Sequence, residues 1–273
     1  MSSSALAIGT VIDDTYVIDR LIGRGGMGSV YAARHVRLPG RLVAIKVLHR
    51  ESSDAEMLAR FRREAEIASR LGHPNIADVI DFNQLPDGTP YLVLELLEGE
   101  SLAARMRRGP FARAEIVAIV RQVGSALSAA HALGVVHRDL KPENVFLTRT
   151  LVDGNLAQNA KLLDFGISKL QGTGTIKTDE NLVLGTPQYM APEQARGDNQ
   201  AVSARSDIFS LAIIVYEMVT GRPAFAGPTT HSILFQLVYE PAPRFPPDLP
   251  PDLAALEPVV MRALSKQPDD RWP

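Results

Sequence analysis

The stretch "HRDLKPEN", residues 137–144, is the most specific segment of this 273-residue chain. It sets an aspartate, a lysine and an asparagine close together, at Asp139, Lys141 and Asn144. Four shorter segments flank it in the order "GRGGMG" (23–28), "VAIK" (43–46), "DFG" (164–166) and "APE" (191–193). The order of all five segments carries more information than any one of them alone.

The glycines at Gly23, Gly25 and Gly28 have a spacing that usually places backbone against phosphates. Dinucleotide-binding folds and protein kinases share this spacing. In a dinucleotide-binding unit a helix follows the glycines, whereas here "SVYAARH" has the pattern of a returning strand. The glycines therefore indicate a hairpin loop that folds over phosphates. A P-loop is excluded because the sequence has no GxxxxGK[ST] motif.

Composition excludes several other classes of protein. Apolar residues make up 45% of the chain, which predicts a sizeable core. A formal net charge of −2 gives no sign of a nucleic-acid or membrane partner, and the absence of cysteine excludes disulfides and thiolate metal sites. The N-terminal "MSSSALAIGT" lacks the features of a signal peptide.

The pattern of apolar residues predicts two lobes. Strands are expected over 15–48 and around 76–82 and 91–97, with a helix over 54–71 between them. After a connector near 98–100 the pattern becomes helical. Helices are expected over 114–134, 206–219, about 230–239 and about 252–265. A small β-rich lobe and a larger α-rich lobe imply a ligand-binding cleft.

Together the five segments resemble eukaryotic-like (Hanks-type) serine/threonine protein kinases, most closely the bacterial branch, from about Tyr16 to Arg271. The resemblance implies an α+β, bilobal protein-kinase fold over residues 1–273. Its N-lobe would span about 10–97, its hinge about 95–101 and its C-lobe about 102–273. It also implies transfer of the γ-phosphoryl group of ATP to Ser and Thr hydroxyls of proteins.

The resemblance assigns a role to each residue of the catalytic stretch. Asp139 accepts the proton of the substrate hydroxyl, and Lys141 offsets charge on the transferring phosphoryl group. Asn144 and Asp164 hold Mg²⁺, with Mn²⁺ as an alternative ion. His137 is expected to pack in the interior instead of acting as a base.

The nucleotide site is expected mainly in the N-lobe. Lys46 pairs with phosphates, and because its strand is mostly buried it needs a partner, for which Glu64 is the best candidate and Glu66 the alternative. Backbone groups of the hinge at Glu95 and Leu97 meet the adenine. The glycine loop, the apolar walls and the back pocket add the following residues: Ile22, Gly23, Gly25, Gly26, Gly28, Val30, Ala44, Leu94 and Phe146.

The segment between "DFG" and "APE" is rich in Gly, Thr and Lys, which suits a mobile regulatory loop. Thr186 resembles the family threonine that contacts Asp139 and Lys141. Thr178, eight residues earlier, is the expected autophosphorylation site, and a phosphothreonine there would pair with Arg138. Asp207 is expected to brace the backbone of the catalytic loop, and Glu193 to pair with Arg271.

Two alternatives remain beside an active protein kinase: a pseudokinase scaffold that binds nucleotide, and a small-molecule phosphotransferase of related fold. The presence of Lys46, Asp139, Asn144 and Asp164 disfavours the first, and the "GT…APE" segment disfavours the second. The expected partners are protein substrates and a kinase homodimer for autophosphorylation in trans, with no nucleic acid and no membrane contact from this chain. The expected location is the cytoplasm, with an anchor beyond residue 273 in the parent protein.

Overall fold

The structure, a computed structural model, describes residues 6–25, 28–48, 62, 66, 69–152, 155–164 and 187–273. Its backbone contacts divide the chain into two compact units, Met1–Glu98 and Gly99–Pro273. The helix expected over 54–71 is described at residues 62, 66 and 69–71, all of them helical, and is labelled α1.

The first unit is built on a six-stranded antiparallel sheet with the strand order β1-β2-β3-β4-β6-β5. Turns at Pro39-Gly40 and around Gly88, where φ is +83°, join neighbouring strands. The strands are β1 Val11–Ile12, β2 Tyr16–Arg24, β3 Gly28–His35, β4 Leu42–Leu48, β5 Val79–Gln84 and β6 Pro90–Glu95.

The alternation of strand residues gives this sheet two distinct faces. Val43, Ile45 and Val47 of β4 lie in the main core cluster, together with Tyr31 of β3 and Val93 of β6. The intervening residues of the same strands therefore lie on the opposite face. That second face carries four of the nucleotide-site residues expected from the sequence.

The second unit combines a small sheet with helices. Its antiparallel strands follow the order β7-β8-β9, and the long helix α3 and the apolar helix α5 form much of its core. The strands are β7 Gly99–Ser101, β8 Val145–Val152 and β9 Asn155–Leu162. The helices are α2 Leu102–Met106, α3 Arg113–Ala132, α4 Pro192–Ala195, α5 Ala204–Thr220, α6 Thr230–Tyr239, α7 Pro251–Ala254 and α8 Glu257–Ala263.

Several boundaries differ from those expected. The helix expected over 252–265 is two helices, because Pro258 occupies the first turn of α8 and cannot donate a backbone hydrogen bond in a helix interior. The short helix α2 was not predicted, although Ser101 caps it by accepting from the Ala104 N–H at 3.1 Å. Among the described residues, no helix has both the length and the apolar character needed to cross a membrane.

Candidate active site

The backbone of the catalytic stretch is held by Asp207, a fully buried residue near the start of α5. Its Oδ2 accepts the His137 N–H at 2.8 Å, and its Oδ1 accepts the Arg138 N–H at 3.0 Å. Arg138 has a φ of +63°, a conformation that costs an L-residue about 1–3 kcal/mol unless its surroundings enforce it. The expected bracing role of Asp207 is confirmed.

His137 is completely buried, which confirms the expectation that it packs in the interior. Burial lowers its pKa and outweighs the neighbouring carboxylates, so the ring is neutral. Nε2 lies 3.1 Å from the Leu163 carbonyl and donates to it, which leaves Nδ1 as the acceptor for the Asp139 N–H at 3.3 Å. A ring with both nitrogens engaged in this way is a structural support for the loop.

Asp139, Lys141 and Asn144 lie together at the end of this stretch. Lys141 Nζ donates to Asp139 Oδ2 at 2.8 Å, and Asn144 Nδ2 donates to the same oxygen at 3.2 Å and to the Asp139 carbonyl at 2.8 Å. The aspartate and lysine side chains are each about one-quarter exposed, so a substrate can reach them. The carboxylate is thus oriented by two neighbours and remains accessible.

Asp164 and Asn144 are the two residues that the sequence predicts as ligands of a divalent metal. The Leu163 N–H donates to the Asn144 carbonyl at 2.8 Å, which ties the end of β9 to the catalytic stretch. Asp164 follows directly and is exposed, with a φ of +45°. Because the Asn144 amide nitrogen already donates to Asp139, its oxygen is oriented away from that group. One carboxylate and one carboxamide oxygen fit Mg²⁺, which takes few protein ligands and completes its shell with phosphate oxygens and water.

Phe146 lies on β8 directly after this group. It pairs with Ser101 of β7 on one side and with Lys161 of β9 on the other. Its side chain is half-buried. It is the one expected nucleotide-site residue in the second unit.

In the first unit, four expected nucleotide-site residues lie on one face of the sheet. Val30 of β3 is directly opposite Lys46 of β4, and Ala44 of β4 is directly opposite Leu94 of β6. Residues opposite each other in antiparallel strands share a face, as do residues two apart in one strand. The sheet therefore presents a single lysine among apolar side chains on the face that the main core does not use.

The glycines of the loop differ in their surroundings. A Cβ on Gly28 would lie 2.2 Å from the backbone oxygen of Val47, so the close approach of β3 and β4 requires glycine there. A Cβ on Gly23 or Gly25 would meet no atom within 4 Å among the described residues. Protein packing thus explains the third glycine, while the open space at the first two suits a ligand such as a phosphate.

The expected hinge residues end the last strand of the first unit. Glu95 donates its N–H to the Asp78 carbonyl at 3.0 Å and accepts the Asp78 N–H with its side chain at 2.9 Å. Its N–H is therefore already used within the unit. Leu97 follows β6 and is half-buried, and Ile22 lies at a bulge of β2 with 47% of its surface exposed.

Four expected site residues lie outside the residues that the structure describes: Gly26, Glu64, Thr178 and Thr186. The Lys46–Glu64 pair, the role of Thr186 and the phosphorylation site therefore stay predictions. The alternative partner Glu66 is exposed and accepts from Arg62 Nε at 3.3 Å on its own helix.

Glu193 and Arg271 form the expected pair, deep in the second unit. Arg271 is 1% exposed and donates from Nη1 and Nη2 to the two carboxylate oxygens, each at 2.8 Å. Burial alone would raise the pKa of Glu193, but the hydrogen bonds from Arg271 and Ser206 outweigh it and hold that pKa below its usual range. Every N–H of the guanidinium finds an acceptor, because backbone carbonyls take those that Glu193 does not.

Three features near the site were not predicted. His131 of α3 contacts Asp207 Oδ2 through Nε2 at 2.7 Å, and Gln194 of α4 donates to the Arg138 carbonyl at 2.9 Å. Tyr189 donates to Glu217 Oε2 at 2.8 Å. Each contact joins residues at least 28 positions apart, so no local spacing could have shown it. The helix that carries His131 and the helix that carries Glu217 were both predicted, but not their mutual placement.

Comparison with known proteins gives one consistent result. The protein kinase domain family matches residues 16–272. The chain is 43% identical over 257 residues to serine/threonine-protein kinase Pkn1 of Myxococcus xanthus, and 41% identical over 260 residues to serine/threonine-protein kinase PknA of Mycobacterium tuberculosis. These matches cover 93% of this chain but only 36% and 58% of the two relatives, so the chain spans roughly a third to three-fifths of their length.

A solved structure gives the same result for the fold. The crystal structure of the Mycobacterium tuberculosis PknI kinase domain matches with a TM-score of 0.73 and 32% sequence identity. The match covers 98% of this chain and 94% of that domain. The expected α+β, bilobal architecture is confirmed.

Proposed function

Because the chain belongs to the protein kinase family, we propose that its catalytic centre is the group formed by Asp139, Lys141 and Asn144. Members of this family use ATP and a divalent metal and phosphorylate proteins, and the curated relatives are serine/threonine kinases. The observation that carries the proposal is the accessible Asp139 carboxylate, oriented at one oxygen by Lys141 and Asn144.

Phosphoryl transfer requires positioning and charge stabilisation more than covalent chemistry from the protein. Asp139 accepts the proton of a Ser or Thr hydroxyl, whose oxygen bonds to the γ-phosphorus while the bond to the leaving ADP oxygen breaks. Lys141, 2.8 Å from Asp139 in the structure, can offset charge on the transferring group. Both side chains are carried by a loop whose backbone Asp207 holds, which keeps their geometry constant.

Asn144 and Asp164 would hold the metal through their side-chain oxygens, and bound Mg²⁺ would neutralise charge on the β- and γ-phosphates. Mn²⁺, which also takes oxygen ligands, is an alternative. In the first unit, Lys46 would contact the phosphates, with Glu64 as its partner. Gly23, Gly25, Gly26 and Gly28 would form the lid of the nucleotide site.

The remaining nucleotide contacts are apolar or come from the backbone. Val30, Ala44 and Leu94 share the face of the sheet that carries Lys46, which supports a role as adenine walls. The walls and hinge are completed by the other expected residues: Ile22, Glu95, Leu97 and Phe146. Because the Glu95 N–H is already donated to Asp78, we assign to Glu95 the use of its carbonyl.

The surroundings of Glu143 favour substrates with a basic residue near the acceptor. Glu143 is exposed between Lys141 and Asn144, and its charge raises the pKa of both Tyr189 and Glu217 in addition to the effect of burial. Within the described residues, no cation pairs with Glu143 or Glu217. Two carboxylates whose charges interact, with no paired cation in the described part of the chain, are a suitable site for the arginine or lysine of a peptide.

Regulation and context form a further part of the proposal. Thr186 would contact Asp139 and Lys141, and Thr178 would be autophosphorylated in trans within a homodimer and then pair with Arg138. Mass spectrometry after incubation with Mg·ATP should find phosphate on Thr178, and Thr178→Ala should be slow to activate; an unmodified Thr178 would contradict this.

ATP is a cytoplasmic metabolite, so we place the domain in the cytoplasm. An anchoring segment would then lie in another part of the parent protein.

The proposed centre can be tested with Asp139→Asn, assayed with ATP, Mg²⁺ and a generic basic protein. We expect kcat to fall by roughly 10²–10⁴-fold because the base is lost. ATP affinity, measured by calorimetry, should change little, since Asp139 is not assigned to the nucleotide. Asp252→Asn, an exposed residue of α7, is the matched control and should keep full activity.

Turnover by the parent chain separates the catalytic proposal from the scaffold alternative, and Lys46→Met shows whether that turnover depends on the proposed phosphate contact. This variant should abolish most turnover in an active kinase, because the phosphate contact is lost. A parent chain that binds ATP but transfers no phosphoryl group would favour the pseudokinase reading. Near-normal turnover by Asp139→Asn would refute the assignment of the base.

A further inference from the structure

The backbone of Arg138, directly before Asp139, is held from two directions. The Arg138 N–H donates to Asp207 Oδ1 at 3.0 Å, and the Arg138 carbonyl accepts from Gln194 Nε2 at 2.9 Å. Asp207 belongs to α5 and Gln194 to α4, so two separate elements fix one residue. Since Arg138 has a φ of +63°, its backbone needs this enforcement.

The side chain of Gln194 donates one hydrogen bond and also accepts another. Its Oε1 accepts the Ala191 N–H at 3.0 Å, at the start of α4. The Ala191 N–H can only donate and the Arg138 carbonyl can only accept, so these two partners determine which end of the amide is which. A carboxamide satisfies both partners at once, whereas a carboxylate or an apolar group of similar size does not.

We propose that Gln194 is a positioning residue for phosphoryl transfer, which links the start of α4 to the backbone that carries Asp139. The Arg138 carbonyl belongs to the same rigid peptide plane as the Asp139 N–H, so rotating that plane moves the Asp139 backbone. The Asp139 N–H also donates to the His137 carbonyl at 2.9 Å, which makes this turn tight. Loss of the Gln194 donor therefore misplaces Asp139 without removing any group that touches the substrate.

The segment that precedes α4 is itself bound to α5. Residues 187–191 lead directly into α4, and Tyr189 of this segment is bound to α5 through Ser210 Oγ at 2.7 Å and Glu217 Oε2 at 2.8 Å. Gln194 connects the end of this segment to the catalytic stretch. The geometry of Asp139 thus depends on the position of residues 187–191 against α5.

The test compares Gln194→Leu and Gln194→Glu with Gln236→Leu. Gln236 of α6 makes the same pair of bonds, to the carbonyl and N–H of Ala226 at 2.9 and 3.2 Å, and is half-buried like Gln194. We expect kcat to fall at least about tenfold in both Gln194 variants, because small misplacements of catalytic groups are costly. The KM for ATP should stay within about twofold, and Gln236→Leu should keep the parent's kcat.

Gln194→Glu adds a readout that a purely structural role would not change. An ionised glutamate can still accept the Ala191 N–H but repels the Arg138 carbonyl, whereas a protonated glutamate can donate to that carbonyl. Its kcat relative to the parent should therefore rise as the pH falls from about 7 towards 5, where a glutamate carboxyl begins to bind its proton. The charged groups on the elements that it contacts (Arg138, Asp139 and Asp207) are identical in parent and variant, so their own titration cancels in the ratio.

The inference rests on the proposed kinase function, and the experiment separates the two. An inactive parent chain would contradict the function itself. An active parent with Gln194→Leu and Gln194→Glu within about twofold of its kcat would overturn the role of Gln194. The same conclusion would follow if Gln236→Leu lost as much kcat as they do. If Gln194→Leu does not fold, the pH dependence of the Gln194→Glu ratio decides, and a flat ratio overturns the proposal.

Discussion

Replacing Arg271 by methionine removes a buried guanidinium and leaves the Glu193 carboxylate without its cation. Removing one partner of a buried ion pair typically costs about 3–5 kcal/mol. For a unit of this size each kcal/mol lowers Tm by about 2–4 °C, which gives a decrease of roughly 6–20 °C. The control is Arg205→Met, because Arg205 pairs with Asp269, whose side chain is 92% exposed, and such pairs contribute about 0–1 kcal/mol.

Urea unfolding followed by far-UV circular dichroism measures both variants. Fluorescence of Trp272, the single tryptophan of the chain, gives a second probe in the same unit. The pKa of Glu193 is held low in the folded parent, so the stabilisation that it contributes is present above its unfolded pKa of about 4.3 and is lost as the pH falls through the folded value. The gap between parent and variant should therefore narrow below about pH 4. A loss under about 1 kcal/mol at pH 7, equal to that of the control, would show that the pair contributes no more than a surface pair.

Three further outcomes can be checked on the same protein. Gly28→Ala should destabilise the first unit, because its Cβ would lie 2.2 Å from the Val47 oxygen, while Gly25→Ala should leave Tm unchanged; equal Tm values would contradict the steric argument. Asp207→Asn should cost about 1–3 kcal/mol in urea unfolding and lower kcat, because an amide NH₂ would face backbone N–H donors; parent-like kcat would argue against bracing. Burial and neighbouring guanidinium groups lower the pKa of Lys266 to about 8. Because the folded state then binds fewer protons than the unfolded state above that pH, the unfolding free energy of the parent relative to Lys266→Met should rise from pH 8 to 10; a constant difference would refute the shift.

Local patterns in the sequence were sufficient to predict much of the fold. The alternation of apolar residues in 43–47 correctly predicted a strand with one buried face, and the structure adds that Lys46 lies on the other face. The stripe of apolar residues over 114–134 predicted α3 to within two residues at each end. These elements are encoded by neighbours in the chain, so a single sequence shows them.

The catalytic stretch was equally accessible, for the same reason. Asp139, Lys141 and Asn144 are near neighbours in sequence, and their contacts follow from one tight turn. Gln194, by contrast, reaches Arg138 across 56 positions, and its polar side chain in a short helix resembles an ordinary surface residue. Only the placement of α4 against the loop shows its two hydrogen bonds, and that placement depends on tertiary packing that no local pattern encodes.

The crowding at Gly28 has an evolutionary consequence. A glycine that the sheet itself demands should persist in descendants that have stopped binding nucleotide, because any side chain there would disturb β3 and β4. Gly23 and Gly25, where a Cβ would meet none of the described atoms within 4 Å, should accumulate substitutions once the ligand is gone. Degenerate members of the family are therefore better recognised by the loss of the first two glycines than by survival of the third.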